Sequence, residues 1–398
     1  MKICFLAPFG IRPKGTVLAR MLPLAVELQM LGHRVTIIAP PYTNPEDSGK
    51  REEVRGVRLV NVALPACGRA MGALPLTWRM FRAMSLERPD LVHLFKPKGY
   101  GGLAAMLLLL LRCLGMRLPP LFVDTDDWEG KGGMNELHPY SLPEKCLFAF
   151  QERLLSRRAA GVTAASRTLE TLTGELGVRP ERLLYLPNGV ETATTGNPGR
   201  IRAELGIPAH RPVVLLYTRF FEFSQERLYQ TFAAIHRDVP DVRFLVVGKG
   251  RNGEEDRLVA AAAERGFRDA LLMAGWLEPA AIPDYLAAAD VGIYPLDDTL
   301  VNRAKCPAKL TELLAAGLPV VADRVGQAAE YIQSGEAGLL CTPGDWQEMA
   351  TAVTTLLSTP DRGRSKGEAG RRYLLDHYTW HTLAPALNDF YGRHRSST

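Results

Sequence analysis

Residues 305–344 read KCPAKLTELLAAGLPVVADRVGQAAEYIQSGEAGLLCTPG, and this run decides the fold. Leu310, Leu313 and Leu314 recur at helical spacing, and Gly317 and Pro319 stop the helix. Pro319-Val320-Val321-Ala322 is a short apolar strand of the kind buried in a parallel sheet. Residues 323–326 then sit just past its carboxyl end, where open α/β sheets bind ligands. Glu312 lies on the preceding helix, with Lys309 one turn before it. A carboxylate there can hold a sugar diol, and a helix N-terminus beside a lysine can hold phosphate. Those are the needs of a nucleotide-sugar site.

Outward from this run, the second half alternates strand and helix. RPVVLLYTRF, VRFLVVGKG, ALLMAGW and DVGIYPL read as strands, with helices at 225–236, 254–265 and 280–289 before the run and at 345–357 and 362–375 after it. The first half has the same alternation. KICFLAPFG, RVTIIAP, VRLVNVAL, PDLVHLF, LPPLFVDTD, AAGVTAAS and ERLLYLPNG read as strands, with a polar loop before VRLVNVAL. Helices are expected at 15–31, 101–114, 143–158 and 166–176. ETATTGNPGR, residues 191–200, is small, polar and unpatterned, and reads as a linker. The tail at 376–391 is amphipathic, with a kink expected at Pro385. No short repeat and no low-complexity tract interrupts this order.

The 305–344 run resembles the donor-binding segment of the group 1 retaining glycosyltransferases of the GT-B fold (glycosyltransferase family 4-like). Glu312 matches the family's second Glu, which binds the donor ribose. Gly317, Pro319, Val320, Val321, Gly326, Glu330, Gly335, Gly338, Pro343 and Asp345 fall where the pattern has them. The family's first Glu would stand at Ala304, and Pro307-Ala308-Lys309 is similar to a Pro-x-Lys element that some members carry. Asn188-Gly189-Val190 resembles the family's interdomain turn, and Gly32-His33-Arg34-Val35-Thr36 the end of its first helix, where glycine caps. The resemblance implies an α/β protein of two Rossmann-like domains facing across a cleft. Residues 1–190 would bind the acceptor and 200–375 the nucleotide-sugar donor, with a terminal helix at 376–395 packing back on the first domain.

Further site residues follow from the resemblance. The first loop, 8–16, joins a strand to a helix and approaches the donor diphosphate and the acceptor in the family; Gly15 offers its backbone there and Lys14 adds charge. Arg219 ends the strand VVLLYT, where the family places an Arg of the pyrophosphate clamp. Arg227 is the candidate for the clamp's second cation, and Gln225 stands at the more literal spacing. Gly248 and Gly250 belong to a literal GxGxxG, residues 248–253. As a dinucleotide fingerprint this is weak, because the next strand ends in Trp276 rather than an acid. The family has Gly-x-Gly here, near the donor β-phosphate or base, and Trp276 can stack on that base. Asp124-Thr125-Asp126-Asp127-Trp128-Glu129 crowds four acids at a strand end. Many members carry a His near Asp126. Here Asp126 and Asp127 are candidates to bind or deprotonate an acceptor hydroxyl rather than a metal. His93, with Lys96 and Lys98 behind it, is a third acceptor-side candidate. Asp297 and Asp298 read as loop residues.

Bulk properties agree. A chain of 398 residues suits two domains, and 46% hydrophobic with 23% charged residues is a globular composition. The net charge of +5 fits anionic ligands or an anionic membrane surface without establishing nucleic-acid binding. The six cysteines are scattered without a CxxC pair, which points to a reducing cytoplasm. No signal peptide is visible, and the apolar run 103–111 is too short to span a bilayer. Residues 66–84 mix Arg69, Arg79 and Arg82 with Met71, Leu74, Trp78 and Phe81, a composition suited either to an internal amphipathic helix or to a peripheral membrane contact.

The expectation is thus a cytoplasmic enzyme, with the inner face of the plasma membrane as its alternative place, that transfers a sugar from a nucleoside diphosphate to an acceptor hydroxyl with retention. Its product would belong to a polysaccharide, glycolipid or other glycoconjugate. Arg219, Lys309, Glu312 and Asp126 carry the chemistry, with no metal and no cofactor beyond the nucleotide-sugar co-substrate. A lipid-linked or saccharide acceptor is the second partner. A GT-B nucleotide-sugar epimerase and a non-catalytic sugar-nucleotide-binding protein are the alternatives.

Overall fold

The computed structural model describes residues 1–11, 16–66, 69–191 and 196–395. Internal contacts divide the chain into two units. One is Met1–Gly189 with Ala304–Cys306 and Trp380–Thr398; the other is Val190–Arg303 with Pro307–Thr379.

The first unit holds an eight-stranded sheet. Its strands are β1 (Lys2–Leu6), β2 (Arg34–Ala39), β3 (Arg51–Val54), β4 (Val57–Asn61), β5 (Leu91–Phe95), β6 (Leu121–Thr125), β7 (Gly161–Ala164) and β8 (Leu183–Tyr185), in the order β3-β4-β2-β1-β5-β6-β7-β8. The central strands are buried on both faces, which is why they read as continuous apolar runs. Chain order reverses between β1 and β5, so ligand-binding loops are expected at the carboxyl ends of these two strands. The terminal helix Trp380–His394 buries Trp380, Leu387, Phe390 and Tyr391 in the core of this unit. It contains Pro385 without interruption; the break falls earlier, at Tyr378 and Thr379, where the helix Pro360–His377 ends.

Three local expectations change. The polar loop before VRLVNVAL contains β3, which pairs antiparallel with β4. Arg55 and Gly56 make the hairpin turn with φ of 53° and 79°, the two positive values that a tight hairpin needs. Charges hid this strand, because an edge strand need not be apolar. The expected linker contains the helix Pro198–Glu204. Its Asn197 side chain accepts from the Gly199 and Arg200 amides, so Asn-Pro-Gly is a helix start rather than a turn. The first helix begins as a π-turn, Val17–Met21, before Leu22–Met30.

The second unit holds six parallel strands: β9 (Val213–Tyr217), β10 (Arg243–Val247), β11 (Leu271–Gly275), β12 (Val291–Tyr294), β13 (Val320–Asp323) and β14 (Gly338–Cys341). Their order is β11-β10-β9-β12-β13-β14, so the reversal lies between β9 and β12. Residues 218–222 after β9 and 295–298 after β12 therefore flank the switch point.

Each unit buries one Arg–Asp pair at a strand end. In the first, Arg20 is 2% exposed and Asp124 fully buried. Arg20 donates from Nε (2.9 Å) and Nη2 (2.6 Å) to Asp124, and also to the Leu186 carbonyl (2.8 Å) and Asn188 Oδ1 (2.9 Å). Burial pushes the Asp124 carboxyl up, but the Arg20 charge, its hydrogen bonds and Thr163 hold it below the usual range. Removing the cation alone strands a buried carboxylate. Arg20→Met should lower the unfolding free energy by about 3–5 kcal/mol, with the double variant Arg20→Met/Asp124→Leu recovering part of the loss. Urea unfolding of the three proteins checks both statements.

Candidate active site

The donor-side residues gather at the end of β9. Tyr217, 7% exposed, closes the strand. Thr218 Oγ1 then accepts the Phe220 amide at 2.8 Å, and Phe220 adopts a left-handed φ of 66°. This sharp turn leaves Arg219 54% exposed, 3.6 Å from Glu222 and over the Phe221 ring at 4.8 Å. Arg251, from the glycine turn, meets the same ring at 5.3 Å.

Lys309 and Glu312 come from the helix Ala308–Ala315, which exposes one face and buries Leu310, Leu313 and Leu314. The Lys309 ammonium lies 3.3 Å from the centroid of the Tyr217 ring, and the Tyr217 hydroxyl is hydrogen-bonded to Glu312. The Glu312 side chain reaches solvent, but protein crowds its surroundings. That crowding pushes its carboxyl up, against the Tyr217 hydrogen bond and the Lys309 charge. Burial and the neighbouring Glu312 push the Tyr217 phenol well up, so it is a hydrogen-bond donor. A cavity beside these groups is lined by Tyr217, Thr218, Glu222, Phe223, Tyr294 and Lys309.

Several expected donor ligands have other duties. Arg227 is 6% exposed and donates twice to Asp323 at 2.8 Å and once to Asp297 at 3.2 Å. Asp323 is fully buried and also accepts the Leu296 amide at 2.6 Å. Arg227 is thus committed to neutralising a buried carboxylate, and the clamp role expected for it is withdrawn. Gln225 donates to the Phe220 carbonyl at 2.6 Å. The Gly248 amide donates to the Gly275 carbonyl at 2.7 Å, and the Gly250 amide to Glu255 at 2.8 Å. Gly248 has φ of 124° and packs where a Cβ would strike the Thr218 carbonyl. The two glycines shape the turn, and with both amides engaged inside the protein the donor contact expected at Gly248 and Gly250 does not come from those N–H groups. Trp276 is 64% exposed, open to a stacking partner. Asp298 pairs with Arg303 at 2.5 Å.

On the acceptor side, His93 is fully buried among aromatic rings, with Nδ1 2.6 Å from the Tyr391 hydroxyl. Burial lowers its titration to about 4, so it is a neutral packing residue, and its expected acceptor role is withdrawn. Asp124 is held by Arg20 as described. Asp126 and Asp127 share the Lys96 ammonium, at 2.9 Å for Asp126 and by a short hydrogen bond for Asp127. Lys96 is 6% exposed and has a left-handed φ of 54°. Lys98 pairs with the buried Glu129 at 2.6 Å. Lys14 and Gly15 lie outside the described residues. Among the described residues, no group of three or more His, Cys, Asp or Glu is placed to hold a metal ion.

Sequence reasoning missed Tyr217, Arg251 and the role of Lys96. Tyr217 ends an apolar strand and reads as core; its hydroxyl, carried by the strand's last residue, is the signal.

Residues 15–189 match the family model of the glycosyl transferase 4-like domain, and residues 211–359 that of the glycosyl transferases group 1. The chain is 30% identical over 241 residues to 2-deoxystreptamine glucosyltransferase of Streptomyces kanamyceticus, covering 58% of this chain and 60% of that protein. It is 29% identical over 222 residues to the GDP-mannose-dependent alpha-(1-6)-phosphatidylinositol monomannoside mannosyltransferase of Mycolicibacterium smegmatis, covering 54% and 57%. The chain thus spans three fifths or less of the length of these curated relatives. Among solved structures, sucrose-phosphate synthase from Thermosynechococcus elongatus superposes with a TM-score of 0.75 at 18% identity, covering 100% of both chains. HepE of Anabaena in complex with UDP-glucose gives 0.75 at 20% identity, covering 99% and 100%.

Burial pushes the Asp126 carboxyl up to about 6, against the Lys96 charge, with Asp127 adding to the rise. An acid that titrates higher in the native state than unfolded binds its proton more tightly when folded. Its contribution therefore disfavours the fold as pH rises from about 4 to about 6, and is constant above. Asp126→Asn should accordingly be more stable than the parent by about 1–3 kcal/mol at pH 7, with the gap closing below pH 4. Unfolding curves at pH 4, 5, 6 and 7 check this.

Proposed function

The chain belongs to the group 1 glycosyltransferases and has their GT-B fold, and from that premise we propose that it moves a sugar from a nucleoside diphosphate to an acceptor hydroxyl with retention. The observation that carries this reading is the meeting of Glu312, Lys309 and Tyr217 at the β9 end, beside the strand-order reversal of the second unit. Glu312 takes the ribose hydroxyls, and the solvent exposure of its side chain supports that role. Cleavage of the sugar–phosphate bond leaves negative charge on the diphosphate. Arg219 and Lys309 meet that charge as it develops, which is where preorganised cations lower a barrier most. The released diphosphate accepts the acceptor's proton, so no enzymic nucleophile is required.

Asp126 orients the acceptor hydroxyl. Titrating near 6, it is ionised at neutral pH and accepts a hydrogen bond. Two relatives are named for a 2-deoxystreptamine and a phosphatidylinositol mannoside, which supports an acceptor of the saccharide or glycolipid class. No helix among the described residues is long and apolar enough to cross a membrane. The helix Arg69–Glu87 buries Leu76, Met80, Phe81 and Met84 and exposes Met71, Leu74 and Trp78 at helical spacing, with Arg82 following. That face supports peripheral contact with an anionic membrane surface at the cytoplasmic side.

The test supplies UDP-, GDP-, ADP- and TDP-linked sugars with glycolipid and saccharide acceptors and follows glycoside formation, with the anomeric configuration read by NMR. Transfer with retained configuration, unchanged by a chelator, is expected. Diphosphate release with a rearranged free sugar would make the protein an epimerase, and binding without turnover a non-catalytic binder. With the active donor, Arg219→Ala should lower kcat about 10–100-fold, and Glu312→Ala should raise the donor KM at least about tenfold.

A further inference from the structure

Tyr217 touches both groups that the donor reading relies on, and neither the family resemblance nor the strand pattern assigns it a role. It ends β9, a central strand held between β10 and β12, and pairs in register with Val247. Its backbone is therefore fixed by β10, with its neighbour Leu216 paired to Ile293 of β12, and its side chain is almost wholly buried. We propose that Tyr217 is a positioning residue of the donor site: its hydroxyl fixes the Glu312 carboxylate and its ring face carries the Lys309 ammonium. One side chain thereby presets the groups that meet the ribose and the diphosphate. The proposal rests on the reading of this site as a nucleoside-diphosphate site.

The chemistry favours the arrangement. An ionised carboxylate has about four acceptor positions. One taken by a phenol leaves enough for a vicinal diol, and it fixes which way the remaining ones point. Protein crowding around Glu312 favours its protonated form, and the phenol, by donating, works against that. The ring acts differently on Lys309. A π-face attracts an ammonium without neutralising it, so the ring holds the flexible stem in place without cancelling the charge that a diphosphate would meet. Lys309 and Glu312 are three residues apart on one helix, so a single side chain beneath that helix reaches both.

The test titrates the full chain with UDP, GDP and ADP, then takes whichever binds, its 2′,3′-dideoxy form and its monophosphate to the variants Tyr217→Phe, Tyr217→Leu and Glu312→Ala. Tyr217→Phe should weaken the ribonucleoside diphosphate about 5–10-fold, leave the dideoxy form unchanged, and move the acid limb of binding to higher pH. Because it keeps the ring, its preference for diphosphate over monophosphate should persist. Tyr217→Leu should lose that preference as well, by roughly three- to tenfold. Equal weakening of all three probes by both variants would reduce Tyr217 to a core residue and overturn the proposal. So would parental ribose preference and an unmoved acid limb in Tyr217→Phe. If Tyr217→Leu does not fold, the ribose preference of Tyr217→Phe decides alone. Glu312→Ala separates the two levels of inference: parental nucleotide affinity in that variant, or no diphosphate binding by the parent, removes the donor site itself. Loss in Glu312→Ala with none in Tyr217→Phe removes only the positioning role.

Discussion

A carboxylate buried at the carboxyl end of a parallel strand must be neutralised where it stands, and both units meet this requirement with an arginine from a preceding helix. In the first, Arg20 reaches Asp124 at the end of β6 and binds the backbone of Leu186 on the way. In the second, Arg227 reaches Asp323 at the end of β13, and Asp323 in turn fixes the Leu296 amide. Each pair is expensive to break and ties three elements together, so the loops around it are held by charge as well as by packing. Candidate residues lie on those loops: in the first unit Asp126 and Asp127 follow Asp124 directly, and in the second the 295–298 loop lies across that sheet's switch point from Arg219.

The same constraint sorts the cations. Arg20, Arg227 and Lys96 are buried against carboxylates and are unsuited to capturing a diphosphate. Arg219 is exposed, and Lys309 rests on an aromatic face. The left-handed φ values of Lys96 and Phe220 fall beside these groups, in the loops that follow β5 and β9. Strain of that kind costs of order 1–3 kcal/mol per residue and persists where the surroundings over-determine it.

Much of this was legible in the sequence because the relevant signals are local. Glu312, the strand at 320–323 and the two-sheet architecture follow from spacing within short windows. What escaped depends on partners far along the chain. Arg227 looks like a free cation until Asp323, 96 residues on, is brought to it. His93 looks like a cleft residue until Tyr391, 298 residues on, covers it. The terminal helix that carries Tyr391 was readable as a helix, but not which ring it would set against which imidazole. β3 was lost for a different reason: its residues are charged because it lies at an edge, and period-two alternation in so short a charged run resembles a loop.

That edge has a consequence for how the protein behaves at high concentration. The eight-stranded sheet ends on one side in β3, whose Arg51, Glu52 and Glu53 follow Lys50, and on the other in β8, only three residues long. A neighbouring molecule seeking to extend the sheet would have to desolvate a row of fixed charges on one side and find almost no ladder on the other. Removing β3 with its turn would uncover β4 and its Val57-Arg58-Leu59-Val60 run, and with it a template for cross-β stacking.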